Sequence, residues 1–188
     1  MNPSCAKIGQ RHVLLESVID ALNQGEVLLQ ELDNQSYTRR LPAAFNASIG
    51  GHYRHCLDHF RSVLNAALQG DLNYDQRERG TLIEQDRFAA LNATRGLREA
   101  CEQLAEGCLD RELSVTCKTS YAMSSSQSSG STVGREIMYA VAHAVHHYAL
   151  IGVMTGLMGI KMPPGFGVAP STLKHREEAI MANSQATS

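Results

Sequence analysis

The sequence predicts an all-α protein built as a four-helix bundle, with a long irregular connection before the last helix. Four segments of roughly 20 to 27 residues repeat apolar side chains every three or four positions, and no comparable set of alternating strands appears. The 188 residues are enough for one domain with a substantial core. We therefore expect a single domain over residues 1–188, with its core at about residues 8–172 and a partly disordered tail at 173–188.

The first two helices are predicted over residues 8–32 and 48–69. Asp33, Asn34 and Pro42 end the first helix, Ser48 suits the N-cap of the second, and Gly70 follows its end. The apolar face of the first helix comprises Ile8, Leu15, Ile19, Leu22 and Leu29. That of the second comprises Ile49, Cys56, Phe60, Val63 and Ala67.

The third and fourth helices are predicted over residues 85–106 and 132–158. The core positions of the third are Ala90, Leu97, Cys101, Leu104 and Cys108. Those of the fourth are Ile137, Ala140, His143, His147, Leu150, Ile151 and Met154. Between them, residues 110–131 begin with a short strand-like alternation at 113–117, and residues 120–131 then include seven serines. This composition favours a connection on the surface of the protein, and such a segment could act as a lid. Beyond the fourth helix we expect an extended crossing at 161–170, a short helix at 171–181 and a disordered end.

Composition argues against several classes of protein. The formal net charge is −2 with a pI near 6.4, which does not favour nucleic-acid binding. No apolar run reaches the roughly 20 residues of a membrane span, and the N-terminus lacks the apolar core of a signal peptide. The five cysteines include no Cys-x-x-Cys pair, which excludes the usual disulfide and thiolate-zinc patterns. A soluble cytoplasmic protein that acts on a small molecule, without nucleic-acid or membrane partners, is the expectation.

Histidines on two predicted helices carry the functional interpretation. His143 and His147 lie about 40° apart on an apolar helix face, where an unsatisfied polar group costs about 1–3 kcal/mol. A shared metal ion would satisfy both rings, although a core histidine satisfied by an ordinary hydrogen bond is the structural alternative. His52, His55 and His59 fall within about 60° of one another on the second helix. Helical phase alone leaves open which of these three is a ligand, and the apolar face leans toward His52 and His59.

The segment that contains Ser48, Ile49, His55 and Asp58 resembles the second-helix motif of the DinB/YfiT-like metalloenzyme superfamily. The partner motif there is His-x-x-x-His on the last helix, which is matched by His143 and His147. Residues 134–136 and 166–172 also resemble a subgroup of DinB-like proteins, so the resemblance covers residues 8–172. The motif match selects His55 as the third ligand and leaves His52 and His59 as alternates.

The resemblance implies a four-helix bundle whose three histidines bind a divalent metal: zinc, nickel, iron or manganese. In characterised relatives such a site supports thiol-dependent transferase or isomerase chemistry with low-molecular-weight thiols of the bacillithiol or mycothiol type. It also implies pairing into a homodimer through helix faces, as bundles of this family often pair.

Charged residues near the two motifs are candidates for supporting roles. Asp58 lies three residues after His55 and could orient its ring, or could be a helix-surface charge. Glu136 lies about 20° from His143 around the helix. It could accept a hydrogen bond from a ligand histidine, act as a base, or pair with Arg54 or Arg135. The same two arginines are candidates for a cationic rim that binds a cofactor.

Other side chains beside the motifs favour structural roles. For Tyr53 and Tyr148, core packing is favoured over a pocket wall. Cys56 points about 100° away from its neighbour His55, so it is not an obvious ligand.

Three imidazoles leave coordination positions open, which is typical of catalytic rather than structural sites. We therefore expect a metal-dependent enzyme that activates an external thiol for transfer to an electrophile. Two other functions remain open from the sequence: a non-catalytic metal-binding or stress-response protein, and a metal-dependent hydrolase that activates water.

Overall fold

The computed structural model describes residues 12–76, 80–122 and 125–186. Four long helices form the bundle, and three further helices flank them. In chain order the helices are α1 (Val13–Glu31), α2 (Asn34–Thr38), α3 (Ile49–Gln69), α4 (Leu82–Gln85), α5 (Arg87–Gln103), α6 (Val133–Leu157) and α7 (Pro170–Ala186). The predicted helical bundle is confirmed.

Local capping explains where two of these helices begin and end. The Ser48 hydroxyl accepts a hydrogen bond from the N–H of Gly51 at 3.1 Å, as an N-cap should. Gly70 ends α3 with a φ of 95°, a left-handed conformation that glycine adopts without a steric cost. The Thr132 hydroxyl accepts from the N–H of Arg135 and starts α6. Both helices therefore lie within one residue of their predicted bounds.

The first and third helices differ from the prediction at their ends. Residues 8–11, including the predicted core residue Ile8, lie outside the described residues, and α1 begins at Val13 after the cap His12. The third helix is split at Asp86, whose carboxylate accepts from the N–H of Phe88 and so starts α5 anew. Because α5 ends at Gln103, Cys108 lies in a separate 3₁₀ turn and is only half-buried, whereas Cys101 is buried as predicted.

The helices pack in a non-sequential order. Contacts are most extensive for α3 with α6 and for α1 with α5, followed by α3 with α5 and α1 with α6. Among the long helices, α1 is followed in the chain by α3, and α5 is followed by α6. Each of these two pairs therefore lies diagonally across the bundle. This arrangement places α3 directly against α6.

The buried face of α6 is rotated slightly from the predicted one. Leu150, which we expected in the core, is 38% exposed, while Ala144 and Tyr148 are fully buried. The buried apolar positions from Ile137 onward are Ile137, Ala140, Ala144, Tyr148, Ile151 and Met154. His143 and His147 lie beside this face and are half-buried, and His143 borders a cavity.

Short strands lie at both ends of α3. They are β1 (Arg40–Leu41), β2 (Ala47–Ser48), β3 (Asp71–Asn73), β4 (Glu112–Cys117) and β5 (Gln127–Thr132). β1 and β2 precede α3, whereas β3, β4 and β5 lie where α3 ends and α6 begins. β1 pairs with β2, while β3 lies parallel to β4, and β4 is antiparallel to β5. The connection before α6 is thus more regular than the prediction, which recognised only the alternation at 113–117. Three of its serines, Ser128, Ser129 and Ser131, lie in β5, where backbone pairing with β4 compensates for the lack of apolar side chains.

The chain beyond α6 crosses back over the bundle before the last helix. The Phe166 ring stacks on Tyr148 with centroids 5.3 Å apart. Gly167 has a φ of 68° and lies so close to the Tyr148 backbone that a Cβ would stand 2.6 Å from its carbonyl carbon. α7 extends further than the predicted 171–181 helix, and its side chains up to Ala182 are mostly exposed.

Of the helices in the described ranges, α6 alone has the length and apolar composition to cross a membrane. Core helices of soluble proteins meet the same two criteria, and α6 packs between α1 and α3.

Candidate metal centre

Two facing helices bring six histidines into one row. α3 carries His52, His55 and His59, and α6 carries His143, His146 and His147. The helices run antiparallel, so His52 meets His147 while His55 and His59 meet His143. Spacings of three and four residues keep His52, His55 and His59 on one side of α3, and a spacing of four keeps His143 and His147 on one side of α6.

Ring nitrogens face each other in two close pairs. The Nε2 atoms of His55 and His143 are 2.8 Å apart, and the Nδ1 atoms of His52 and His147 are also 2.8 Å apart. Two imidazole nitrogens on one zinc ion lie roughly 3 to 3.4 Å apart. Small side-chain movements would therefore allow the His55/His143 pair to share an ion.

His55, His59 and His143 form the tightest three-histidine group. One nitrogen from each ring lies within 4.8 Å of the other two. The Nδ1 of His59 lies 2.9 Å from the His55 backbone oxygen, and a carbonyl can only accept. His59 therefore carries its proton on Nδ1, which leaves the Nε2 lone pair available in the neutral ring. The donor set could hold a divalent metal ion.

His147 lies next to this group. Its ring centroid is 4.7 Å from that of His55 and 4.5 Å from that of His143. Burial, together with the nearby rings of His143 and His52, lowers the pKa of His147 to about 3. Burial likewise lowers the pKa of His52. These rings are neutral at neutral pH, which is the state that binds a metal.

The predicted ligands His55, His143 and His147 and the alternates His52 and His59 thus share one cluster. The tightest group contains the alternate His59 in the place of His147. His146 is exposed, with its ring 5.4 Å from that of His147, at the end of the row. His175 lies on the exposed α7, away from the cluster.

Glu136 is almost fully buried beside the cluster, with 1% of its surface exposed. Its carboxylate accepts hydrogen bonds from the Tyr74 hydroxyl at 2.7 Å, the Ser131 hydroxyl at 2.6 Å and the Arg135 guanidinium at 2.8 Å. Of the partners considered from sequence, Arg135 is the one the structure supplies. Three donors compensate for the cost of burying this charge.

Asp58 and Arg54 take part in an ionic network along α3. Asp58 accepts from Arg54 one turn earlier and from Arg61 at 3.5 Å. Arg54 also donates to the Glu84 carboxylate at 2.8 Å, which ties α3 to α4. Arg54 therefore takes part in packing between helices rather than in the rim of the histidine cavity.

A cavity of about 400 Å³ opens onto the histidine cluster. Its floor is formed by His55, His59 and His143. Its remaining lining residues are Tyr74, Asp75, Val115, Cys117, Lys118, Arg135, Glu136 and Tyr139. The cavity lies between the β3–β4–β5 sheet and the α3/α6 pair, so a small molecule within it would meet the ring nitrogens directly.

Two tyrosines form the aromatic wall of this cavity. Tyr74 stacks on His59 with centroids 5.0 Å apart, and Tyr139 stacks on His143 at 5.6 Å. Burial, together with the hydrogen bond to Glu136, raises the pKa of Tyr74 far above its ordinary value. Tyr74 therefore stays protonated and donates to that carboxylate.

The sequence analysis missed Tyr74, Tyr139 and Lys118. Tyr139 precedes His143 by four residues, so helical spacing could have placed it on the same side. Tyr74 and Lys118 follow β3 and β4, and only the sheet that joins those strands brings them to the cavity. In contrast, Tyr53 and Tyr148 are fully buried, as predicted.

Comparisons with known proteins agree with the fold and the motifs. The DinB family profile matches residues 5–173. A crystal structure of a DinB-like protein (YjoA) from Bacillus subtilis superposes with a TM-score of 0.59 at 21% sequence identity, over 81% of this chain and 96% of that one.

A fungal protein shares part of the sequence. FK506-binding protein 5 from Rhizopus delemar is 36% identical over 104 residues, which is 55% of this chain. The match spans only 27% of that relative's length.

The fold is shared with YjoA, the His55 and His143/His147 motifs lie on facing helices, and the family profile matches nearly the whole chain. The chain therefore belongs to the DinB family.

Proposed function

We propose that this chain is a metal-dependent enzyme that activates a low-molecular-weight thiol for transfer to an electrophilic small molecule. The observation that carries the proposal is a cluster of imidazoles at the floor of a cavity large enough for a small molecule. A structural metal site is usually closed by four protein ligands, whereas a site beside an accessible cavity leaves positions for an exogenous ligand.

His55, His143 and His147 are the proposed ligands, with His59 as the competing third imidazole. Nitrogen ligands of this kind suit zinc, nickel or iron, and manganese is also compatible. A divalent ion bound there would lower the pKa of a thiol and hold it as a thiolate at neutral pH.

The residues of the chain supply positioning and a restricted space. His59 is oriented by the His55 carbonyl, and His147 by its contact with His52. Tyr74 and Tyr139 form one wall of the cavity. In the transfer, the thiol proton leaves to solvent, a sulfur–carbon bond forms, and the leaving group departs with its bonding electrons. No redox partner is needed.

A small-molecule substrate in the cytoplasm, without nucleic acid or membrane partners, is part of the same proposal. The slightly negative charge of the chain and the small volume of the cavity, about 400 Å³, support this part of the proposal. Pairing into a homodimer remains a prediction from the family resemblance.

The first test is elemental analysis of tag-free protein beside the variants His55→Ala and His143→Ala. We expect about one equivalent of a transition metal in the unmodified protein, and its loss in both variants while the helical circular dichroism is retained. His175→Ala, on the exposed α7, is the matched control and should keep the metal. Absence of metal from the unmodified protein, even after reconstitution, would refute the proposed site.

The same preparation separates the candidate ligands and activities. Whichever of His59→Ala and His147→Ala loses more metal affinity identifies the third ligand. The metal-loaded protein should consume a thiol together with an alkylating electrophile, and His55→Ala should not. Hydrolysis of an ester or amide without any thiol would instead favour the hydrolase, and bound metal without either reaction would favour the non-catalytic protein.

A further inference from the structure

A second cavity of about 290 Å³ lies along the β4–β5 hairpin. It shares Val115, Cys117, Arg135 and Glu136 with the cavity above the histidines. The two cavities therefore form one groove, here called the hairpin groove, which runs from the imidazoles along β5. Serines of β5 line its far part, among them Ser128, Ser129 and Ser131.

Two cations stand where the two parts of the groove meet. Arg135 borders both parts, is 63% exposed, and lies over the Tyr139 ring at 5.4 Å. Lys118 borders the part above the histidines and is exposed. Within residues 12–76, 80–122 and 125–186, no ion pair engages the Lys118 ammonium group.

The carboxylates of the groove already have donors. Glu136 accepts from three groups. Asp75 accepts from the backbone N–H of Lys118 at 3.2 Å and from the Ser126 hydroxyl at 2.7 Å. Since hydrogen bonds within the protein stabilise both negative charges, the Lys118 ammonium and the outer face of the Arg135 guanidinium are left to attract an anion from solution.

We propose that the hairpin groove is an anion subsite, in which Lys118 and Arg135 bind a carboxylate or phosphate of the same small molecule whose thiol reaches the histidines. The substrate class is thus an anionic thiol with further polar groups, which the serine hydroxyls of β5 would contact. This inference rests on the proposed function for its thiol, but the anion subsite itself does not need the thiol.

The test compares probes that carry one or both groups. Mercaptosuccinate carries a thiol and two carboxylates, 2-mercaptoethanol carries the thiol alone, and succinate carries the carboxylates alone. Thiol binding is followed by the sulfur-to-metal charge-transfer absorption of cobalt(II)-substituted protein. Succinate binding to the same protein is followed by calorimetry. The variant is Lys118→Gln, and its control is Lys174→Gln on α7, where the lysine is also exposed.

We expect mercaptosuccinate to bind about tenfold more tightly than 2-mercaptoethanol, which corresponds to one charge-assisted contact. Lys118→Gln should remove most of that advantage, leave 2-mercaptoethanol unchanged and weaken succinate. Lys174→Gln should change nothing. Equal affinities of the unmodified protein for the two thiols would overturn the subsite. So would affinities for mercaptosuccinate and for succinate that are the same in Lys118→Gln as in Lys174→Gln.

Failure of the proposed function would look different. Succinate that binds in a Lys118-dependent way, while neither thiol produces a charge-transfer band, would keep the anion subsite and refute thiol activation. Thiol bands that do not depend on Lys118 would keep thiol activation and refute the subsite. Arg135→Gln serves as a second variant, with its stability checked first because Arg135 also donates to Glu136.

Discussion

The carboxylate of Glu136 accepts hydrogen bonds from three separate parts of the chain. Tyr74 follows β3, Ser131 belongs to β5, and Arg135 lies in the first turn of α6. Because Tyr74 also stacks on His59, the position of this carboxylate affects the wall of the histidine cavity. Glu136 is therefore a positioning residue for that wall.

We predict that Glu136→Gln lowers the free energy of unfolding by about 1–3 kcal/mol. The amide has only one acceptor oxygen, and its NH₂ group would face donors, so at least one of the three hydrogen bonds is lost. Urea denaturation followed by circular dichroism measures the change. Glu99→Gln, at an exposed position of α5, should be nearly neutral. A loss equal to that of the control would show that the network does not stabilise the fold.

Helical phase placed Glu136 on the side of His143, but it could not identify the partners of the carboxylate. Arg135 is its neighbour in sequence, whereas Tyr74 lies 62 residues away. Contacts of that kind depend on the tertiary arrangement of β3 and α6. The same limit applies to the histidines. Their spacing predicted which rings share a side of each helix. Only the packing of α3 against α6 showed that His59 lies as close to His143 as His55 does.

At the scale of the element, Gly25 lets α1 approach two buried tyrosines closely. A Cβ added there would overlap the Tyr53 hydroxyl and stand 2.7 Å from the Tyr148 hydroxyl. Both tyrosines are fully buried, and the Tyr53 hydroxyl is held by Thr94 at 2.7 Å while that of Tyr148 donates to the Ala21 carbonyl at 3.0 Å. Neither ring can move aside without breaking a buried hydrogen bond.

Gly25→Ala should therefore destabilise the protein, although alanine is the better helix former by about 1 kcal/mol. We expect a net loss of about 1–3 kcal/mol, as for other overpacked cores. Gly96→Ala on α5 is the matched control, because no atom lies within 4 Å of the added Cβ, and it should stabilise by up to about 1 kcal/mol. Thermal unfolding of the two variants gives shifts of opposite sign. A shift of the same sign in both would contradict this account of the packing.

The predictability of each element follows from the range of the interactions that form it. α3 and α6 were placed within a residue because their caps, Ser48 and Thr132, act on the next three residues. The hairpin was only half recognised. β5 is the segment Gln-Ser-Ser-Gly-Ser-Thr, and it becomes a strand through pairings such as Thr116 with Ser128 rather than through its own apolar pattern.

At the scale of the whole molecule, an ion-pair network fastens α1 to α5. Arg95 donates to Glu26 at 2.6 Å and Arg98 donates to it at 2.9 Å. The hydrogen bond from Arg95 is the main cause that lowers the pKa of Glu26, and the charges of both arginines add to it. Deprotonated Glu26 therefore stabilises the packed pair of helices.

Because the folded-state pKa of Glu26 lies below its unfolded value, its contribution is present above the unfolded pKa of about 4.3 and is lost as pH falls through the folded pKa. We predict that Glu26→Gln is less stable than the unmodified protein at pH 7, by about 1 kcal/mol or less, because the pair is partly exposed. The difference should vanish toward pH 3. Urea midpoints at pH 7, 5 and 3 measure it, and the exposed Glu102→Gln should show no such trend.

The overall class of the molecule was accessible from the sequence, and the arrangement of its helices was not. Four segments with the apolar periodicity of a helix were enough to predict a helical bundle. The diagonal placement of α1 and α3 depends instead on how the connections run, and the sheet β3–β4–β5 occupies the end of the bundle where α3 and α6 meet. That junction also determines which side chains line the cavity.

The antiparallel pairing of α3 with α6 also has a consequence for biosynthesis. His55 and His143 are separated by 88 residues, and His52 and His147 by 95, so the closing of a long loop must precede any shared coordination. While α6 is still inside the ribosomal exit tunnel, the nascent chain presents the α3 half of the histidine cluster alone. The proposed ion would therefore select chains whose bundle has already closed.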